Sequence, residues 1–378
     1  MNKPKSVTSL QLTFSIGTSI IGVGILAFPR ITISLADTGA PMTAVFAVLC
    51  AMLGGLVLVH LGLAYQDETL FEYADHLVGR ILGGVFLFAI GVYFLELSAL
   101  ATREFGEVVV TSVLQRTPIP VTVLVIVLLV VVASRNDVAK FTRILTFYMP
   151  IVYFPALVIV ALSLKNAKVA NLMPLLATFH DVPFQNTVLS TGIVTALFQN
   201  FMIAGIVIPF MYQPQRAKKS VLVGIGLGGA LYVLLIYSAL SVFGTEEMKN
   251  LLWPTLELAK TAAMPTFFLE RLDPIFLAVW VTAVFCAIYA AYYLSIQAFS
   301  HVLRFQDHRA LCFMGMPLVF TLARLPSNIV DLYTVTKMWG LIGLTLTFGY
   351  PLLLFLIHLV KSRHVAAKKR PRRVGTTS

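Results

Sequence analysis

The sequence predicts an all-α polytopic membrane protein of ten transmembrane helices, arranged as five plus five with helices 1 and 6 broken. Three observations carry this prediction. The 378 residues are 58% hydrophobic and only 12% charged, against roughly 25% charged in soluble domains, and the mean hydropathy is +0.88. Apolar windows close to the ~20 residues that span a hydrocarbon core recur along the chain. Two of them, the first and the sixth, are interrupted by glycine, proline and amide residues for which a plain anchor has no use.

The first window, 11–35, contains Gly17, Gly22, Gly24 and Pro29, with Arg30 directly behind. The glycines lower helix propensity, and Pro29 cannot donate a backbone hydrogen bond. Freed backbone groups in lipid must be satisfied by protein or by a water-filled cavity. Ser19-Ile20-Ile21-Gly22-Val23-Gly24-Ile25 therefore reads as a helix break, the device with which secondary transporters hold small solutes near the midplane. Close helix packing is the competing use for such glycines.

The second window, 40–65, is plain. The third, 82–111, carries the costliest residues: Glu96, Arg103 and Glu107 share one helical face, with Glu104 about 80° round the axis. Charges at this depth must be paired or wet, so the stripe is either the wall of a polar pathway, with Tyr93 one turn inward, or a self-satisfied ion-pair ladder. Windows 119–134 and 144–164 complete the first half. In the sixth, 187–212, Gln199 and Asn200 lie near mid-membrane between Phe198 and Phe201, flanked by Gly192, Gly205 and Pro209. Amides there need partners, either a solute or a neighbouring helix. The seventh window, 220–243, precedes Leu251–Ala263, which reads as an amphipathic helix on the membrane or over a vestibule. The eighth, 272–303, offers Thr282, Tyr289, Tyr292, Tyr293, Ser295 and Gln297, as site hydroxyls or as belt and packing residues. Windows 310–323 and 333–360 end the set. The expected organisation is one transmembrane domain over 1–360, with repeats at about 10–164 and 187–360, and a basic disordered tail over 361–378.

Lysines and arginines concentrate in one set of loops and in the tail, including Arg135, Lys140, Arg143, Arg216, Lys218, Lys219, Arg304 and Arg309. The positive-inside rule then places both termini in the cytoplasm and requires an even number of spans. The formal charge of +11 is confined to these segments, which suits anionic membrane lipid or a cytoplasmic partner rather than nucleic acid. Cys50, Cys286 and Cys312 have no metal-type spacing, the histidines are scattered, and no nucleophile elbow or phosphate loop occurs. No enzyme, metal or cofactor is expected. The N-terminal apolar run is too long for a cleavable signal.

Three groups of residues, in this order along the chain, carry a resemblance. They are Gly17-Thr18-Ser19-Ile20-Ile21-Gly22-Val23-Gly24-Ile25-Leu26 with Pro29-Arg30, then Thr102-Arg103-Glu104 followed by Leu114-Gln115-Arg116-Thr117-Pro118, and Phe268-Leu269-Glu270-Arg271-Leu272-Asp273 leading to Trp280. The chain resembles the spore germination permeases, the B subunits of GerA-type nutrient germinant receptors, within the amino acid, polyamine and organocation transporter superfamily with the LeuT-like inverted repeat. The resemblance implies a protein of the spore inner membrane that senses a small nutrient, usually an amino acid, together with an A-type subunit and a C-type lipoprotein subunit. By position it places the solute at Gly22-Val23-Gly24 and Ser19 to Ile25, against Phe198-Gln199-Asn200-Phe201, with Tyr93 and Tyr289 as lining residues. A half-helix beginning after Gly22 offers amide donors to a carboxylate. Neither broken span holds an acidic residue, so sodium coupling is not expected. An autonomous amino-acid transporter and a structural scaffold for the A subunit are the alternatives.

Overall fold

The computed structural model describes residues 3–22, 24–173, 182–262 and 273–368. Val23 and the Phe268–Leu272 part of the motif before Trp280 lie outside them. Every predicted window contains helix. The first is split into α1 (Ser9–Ile20) and α2 (Gly24–Ala36). Thr8 caps α1 with a reciprocal box: its hydroxyl accepts from the Gln11 amide at 3.2 Å, and its own amide donates to Gln11 Oε1 at 2.8 Å. At the other end α1 stops at Ile21, whose backbone is extended.

After a 3-10 turn over Asp37–Gly39 come α3 (Ala40–Ala64), the short α4 (Leu70–Val78), α5 (Arg80–Ser112), α6 (Ile119–Ser134) and α7 (Val138–Ser163). The sixth window is α8 (Phe184–Ala196), a 3-10 turn over Gln199–Met202, and a five-residue α9 (Ile203–Val207). Its two limbs are bent by 49°. Then follow α10 (Ala217–Asn250), α11 (Pro254–Thr261), α12 (Asp273–Leu303), α13 (Arg309–Leu322), α14 (Ile329–Leu344), a π-turn over Thr345–Gly349, and α15 (Tyr350–Lys368). Helix thus continues into the basic segment expected to be disordered. Among the described residues six helical runs are long and apolar enough to cross a membrane, seven if the bent pair is one span, with α6 and α13 as shorter apolar helices.

The core is built around the first span. Gly224 and Gly228 of α10 let α1 approach closely: a Cβ at Gly224 would lie 2.7 Å from the Thr13 carbonyl oxygen, the small-residue contact that van der Waals packing in lipid demands. On its other side α1 is tied to α7 by Ser15 Oγ to the Thr142 carbonyl (3.2 Å) and Thr18 Oγ1 to the Leu145 carbonyl (3.1 Å). Helix α12 packs along α5 and α7. Helix α11 packs against α2, α10 and α12 with Leu256 and Leu258 buried, so it caps the bundle instead of lying apart on a surface.

The N-terminal residues form a strap. The Ser6 and Val7 amides donate to the Phe210 carbonyl (2.8 and 3.0 Å), and the Tyr212 amide donates back to Val7 (3.0 Å). Lys5 reaches the Pro209 carbonyl at 2.8 Å and Asp67 at 3.1 Å, and Lys3 pairs with Glu72 of α4. The end of the sixth span is thereby joined to the start of the first.

Candidate functional site

Where α1 ends, three side chains replace the missing helical hydrogen bonds. Asn200 Nδ2 donates to the Ser19 carbonyl at 2.7 Å, and the Tyr232 hydroxyl of α10 donates to the Ile20 carbonyl at 2.9 Å. On the α2 side, Thr255 Oγ1 of α11 donates to the Ile25 carbonyl at 2.6 Å. Freed carbonyls in an apolar interior cost several kcal/mol if left bare. The amides at 199–200 are therefore explained in part by the break they serve.

Their other atoms are not explained. Gln199 Nε2 donates to the Gly340 carbonyl at 2.8 Å. Because both amides are held by carbonyls, their NH2 ends are fixed by chemistry and their oxygens point elsewhere. Gln199 Oε1 and Asn200 Oδ1 are buried and have no hydrogen-bond partner. Such acceptors are rare in native interiors, where buried polar groups are hydrogen-bonded. Both residues line a cavity of ≈ 80 Å³ at the break, together with Ser19, Gly22 and Gly24 and the α12 residues Ala287 and Ala291. Space requires glycine at 22, where a Cβ would overlap Ala287, and Gly24 lies against the end of the Leu197 side chain, 2.5 Å from where a Cβ would stand.

Of the residues expected at the site, Ser19, Gly22, Gly24, Gln199 and Asn200 meet at this cavity. Others are placed elsewhere. Phe198 is buried against Tyr232, and Phe201 packs edge-on against Phe348. Ile25 is buried, its amide donating to the Gly22 carbonyl at 3.3 Å and its carbonyl accepting from Thr255. Tyr93 stands beside Gln199 at Gly343 of α14, where a side chain on Gly343 would strike both, and its hydroxyl is also without a partner. Tyr289 points away: its hydroxyl donates to the Ala133 carbonyl of α6 at 3.1 Å, and its ring packs on Phe141. Ser295 and Tyr292 of α12 behave likewise, bonded to the Gly91 and Cys312 carbonyls, whereas the Tyr293 hydroxyl is buried without a partner. This span contributes small residues to the cavity instead of hydroxyls, a contribution that a search for polar groups misses.

The stripe on α5 divides. Arg103 and Glu107 pair with each other, Nε and Nη2 donating to Oε1 at 3.0 and 2.7 Å. Glu96 opens onto a separate cavity of ≈ 410 Å³ between α5, α13 and α14 that shares no residue with the one at the break. The expectation that Glu96, Arg103 and Glu107 line one pathway is thus corrected. The carboxylate of α5 nearest the break is Glu104, 5% exposed, with the Tyr333 hydroxyl at 3.3 Å. No cluster of three or more potential metal ligands occurs among the described residues.

A broken span facing a bent one across a cavity is a transporter arrangement, and comparison with known proteins specifies the kind. A model of the spore germination protein family matches residues 6–332. The chain belongs to that family. Spore germination protein YndE of Bacillus subtilis is 24% identical over 359 residues, covering 94% of this chain and 97% of that one. Spore germination protein A2 of the same organism is 22% identical and covers 95% and 97%, and spore germination protein GerLB of Bacillus cereus is 22% identical over 95% and 96%. Among solved structures, Mhp1, a nucleobase-cation-symport-1 family transporter in a closed conformation with bromovinylhydantoin bound, superposes with a TM-score of 0.60 at 14% identity, covering 98% of this chain and 96% of that one. A Na+-coupled sialic acid symporter gives 0.58 at 10% identity, over 91% and 78%. At such identities the likeness concerns the fold: this family member is an integral membrane protein with a transporter fold. Family and neighbours are permeases and transporters, not enzymes.

Proposed function

We propose that this chain is the permease-like B subunit of a spore nutrient germinant receptor, binding a small nutrient at the broken helices and triggering germination with A-type and C-type partner subunits. One observation carries the reading: the two interrupted spans meet at a cavity lined by Ser19, Gly22, Gly24, Gln199 and Asn200, and the Asn200 amide oxygen is buried without a hydrogen-bond partner. The ten helices then form a LeuT-like 5+5 inverted repeat in one transmembrane domain, in the spore inner membrane with both termini cytoplasmic. A solute with donor groups satisfies the Asn200 oxygen, and the first turn of α2 presents its remaining backbone amides to its anionic end. Binding that favours one arrangement of α1–α2 against α8–α9 shifts the population of the bundle, which the partners read.

The test is germination of spores carrying Gly24→Trp. Gly24 lies against Leu197, so an indole there fills the cavity and abolishes the nutrient response, with receptor abundance unchanged on an immunoblot. Wild-type sensitivity in that strain refutes the site. The second reading, autonomous amino-acid transport, draws on the superposition with transporters; saturable uptake by the lone protein in vesicles would favour it.

A further inference from the structure

The cavity at the break is not isolated. Beyond Leu197 lies a second one of ≈ 80 Å³ between α2, α5, α8 and α14, which shares Gly24, Leu97, Ala196 and Leu197 with the first. It opens in turn onto a wider space of ≈ 400 Å³ through Ala27, Ile31, Tyr333 and Lys337. The three form a series from the end of the bundle that α2 approaches down to the broken helix, with Leu197 as the inner partition and Tyr333 as the outer one.

The middle cavity has a chemistry that the inner one lacks. Its walls are largely apolar, from Phe28, Ile31, Leu97, Ile193 and Leu197, yet it contains a carboxylate and an ammonium, Glu104 and Lys337. These two do not pair with each other, and Lys337 has no ion-pair partner among the described residues. Glu104 is buried with a single hydroxyl partner, whereas buried carboxylates are ordinarily paired or multiply hydrogen-bonded. Thr336 Oγ1, on the same wall, is buried and unpartnered. A buried acid in an apolar chamber, a lysine at its exposed rim and a spare buried hydroxyl on its wall make a receptacle for a molecule bearing both charges.

We propose that this middle cavity is a binding site for zwitterions of the α-amino acid class, distinct from the cavity at the break, in which Glu104 takes the ammonium, Lys337 the carboxylate, and the apolar wall a hydrophobic side chain. The assignment goes beyond the sensing role and stands or falls separately from it. The site selects for both charges: a ligand lacking the ammonium leaves the buried Glu104 without its counter-charge, and one lacking the carboxylate forgoes the Lys337 ammonium at the rim.

The experiment is equilibrium binding to the full chain in lipid nanodiscs, with a panel of tritiated L-amino acids. The tightest is then competed with its decarboxylated amine and its deaminated acid. Wild type prefers the zwitterion. Glu104→Gln, isosteric and able to keep the Tyr333 contact, weakens zwitterion binding roughly 10–100-fold and leaves the deaminated acid unaffected. Lys337→Met, at the exposed rim, does the converse and spares the amine. Ala101→Phe, which fills the inner cavity, leaves these preferences in place. Equal losses for zwitterion, amine and acid overturn the proposal, as do binding indifferent to both substitutions and absence of saturable amino-acid binding. Charge-selective binding in a protein whose Ala101→Phe spores germinate normally retains this site and removes the sensing role, because Ala101 lines the inner cavity and not the middle one.

Discussion

At the residue scale the acidic groups of α5 show how much a rotation about one helix decides. Glu96, nearest the centre of the apolar stretch by sequence, lines a cavity that shares no residue with the one at the break, and Glu104 lines the one that adjoins it. Glu104→Gln is therefore expected to shift the nutrient concentration for half-maximal germination at least tenfold, and Glu96→Gln to shift it less. Dose-response curves of isogenic spores compare them directly, and equal shifts would contradict the placement. Asn200 is expected to weigh on stability as well as on response. Asn200→Leu removes the donor to the Ser19 carbonyl and leaves a buried acceptor bare, a loss of about 1–3 kcal/mol. Thermal unfolding in detergent would register it as a lowered midpoint, absent in Asn136→Leu, whose side chain only bonds its neighbour Ala133.

At the element scale the break is a cooperative construction. α1 is capped at Thr8, packed on the glycines of α10, and ended where Tyr232 and Asn200 take its last carbonyls. The N-terminal strap and α4 hold its other end through Lys3 and Glu72. Burial pushes the Glu72 carboxyl up, but the Lys3 ammonium and the Thr69 amide and hydroxyl more than offset this and hold it below its usual 4.5. A carboxyl lower in the folded than in the unfolded state contributes stability that is present above its unfolded value and lost as pH falls through the folded one. Protection of the Ser6 and Val7 amides from hydrogen exchange, referred to the intrinsic rate at each pH, is thus expected to hold at neutral pH and to decline below about 4.5. Glu72→Gln should lack that decline, and an identical profile in the variant would exclude the pair as its cause.

At the scale of the whole molecule, the arrangement of basic loops makes a topological prediction. With ten spans, single cysteines at Asn136, Gln213 and Asp307 react with a membrane-impermeant maleimide from the side of the N-terminus, and one at Arg116 from the other. Labelling of Arg116 and Gln213 positions from one side would reject the ten-span arrangement. Cys286 and Cys312 are buried and Cys50 is exposed, so Cys50→Ser gives a quiet background for the measurement.

Several features of this protein were determined by sequence alone. A bilayer dictates span length and forbids unsatisfied backbone, so composition, apolar windows and misplaced glycines identify a polytopic helical protein and locate both interruptions to within a few residues. Gly22, Gly24, Gln199 and Asn200 were legible for that reason: each is a poor choice for a simple membrane helix. Tertiary structure alone decided which faces meet. Helices such as α3, α5 and α10 are apolar nearly all round, so periodicity gives no rotation, and packing against neighbours sets it instead. Hence Tyr289 turned to α6, Phe198 and Phe201 became core, and Ala287, Ala291 and Leu197 became cavity wall. Glu104 came to share a chamber with Lys337, a residue 233 positions later in the chain, because α5 and α14 are brought side by side by the fold.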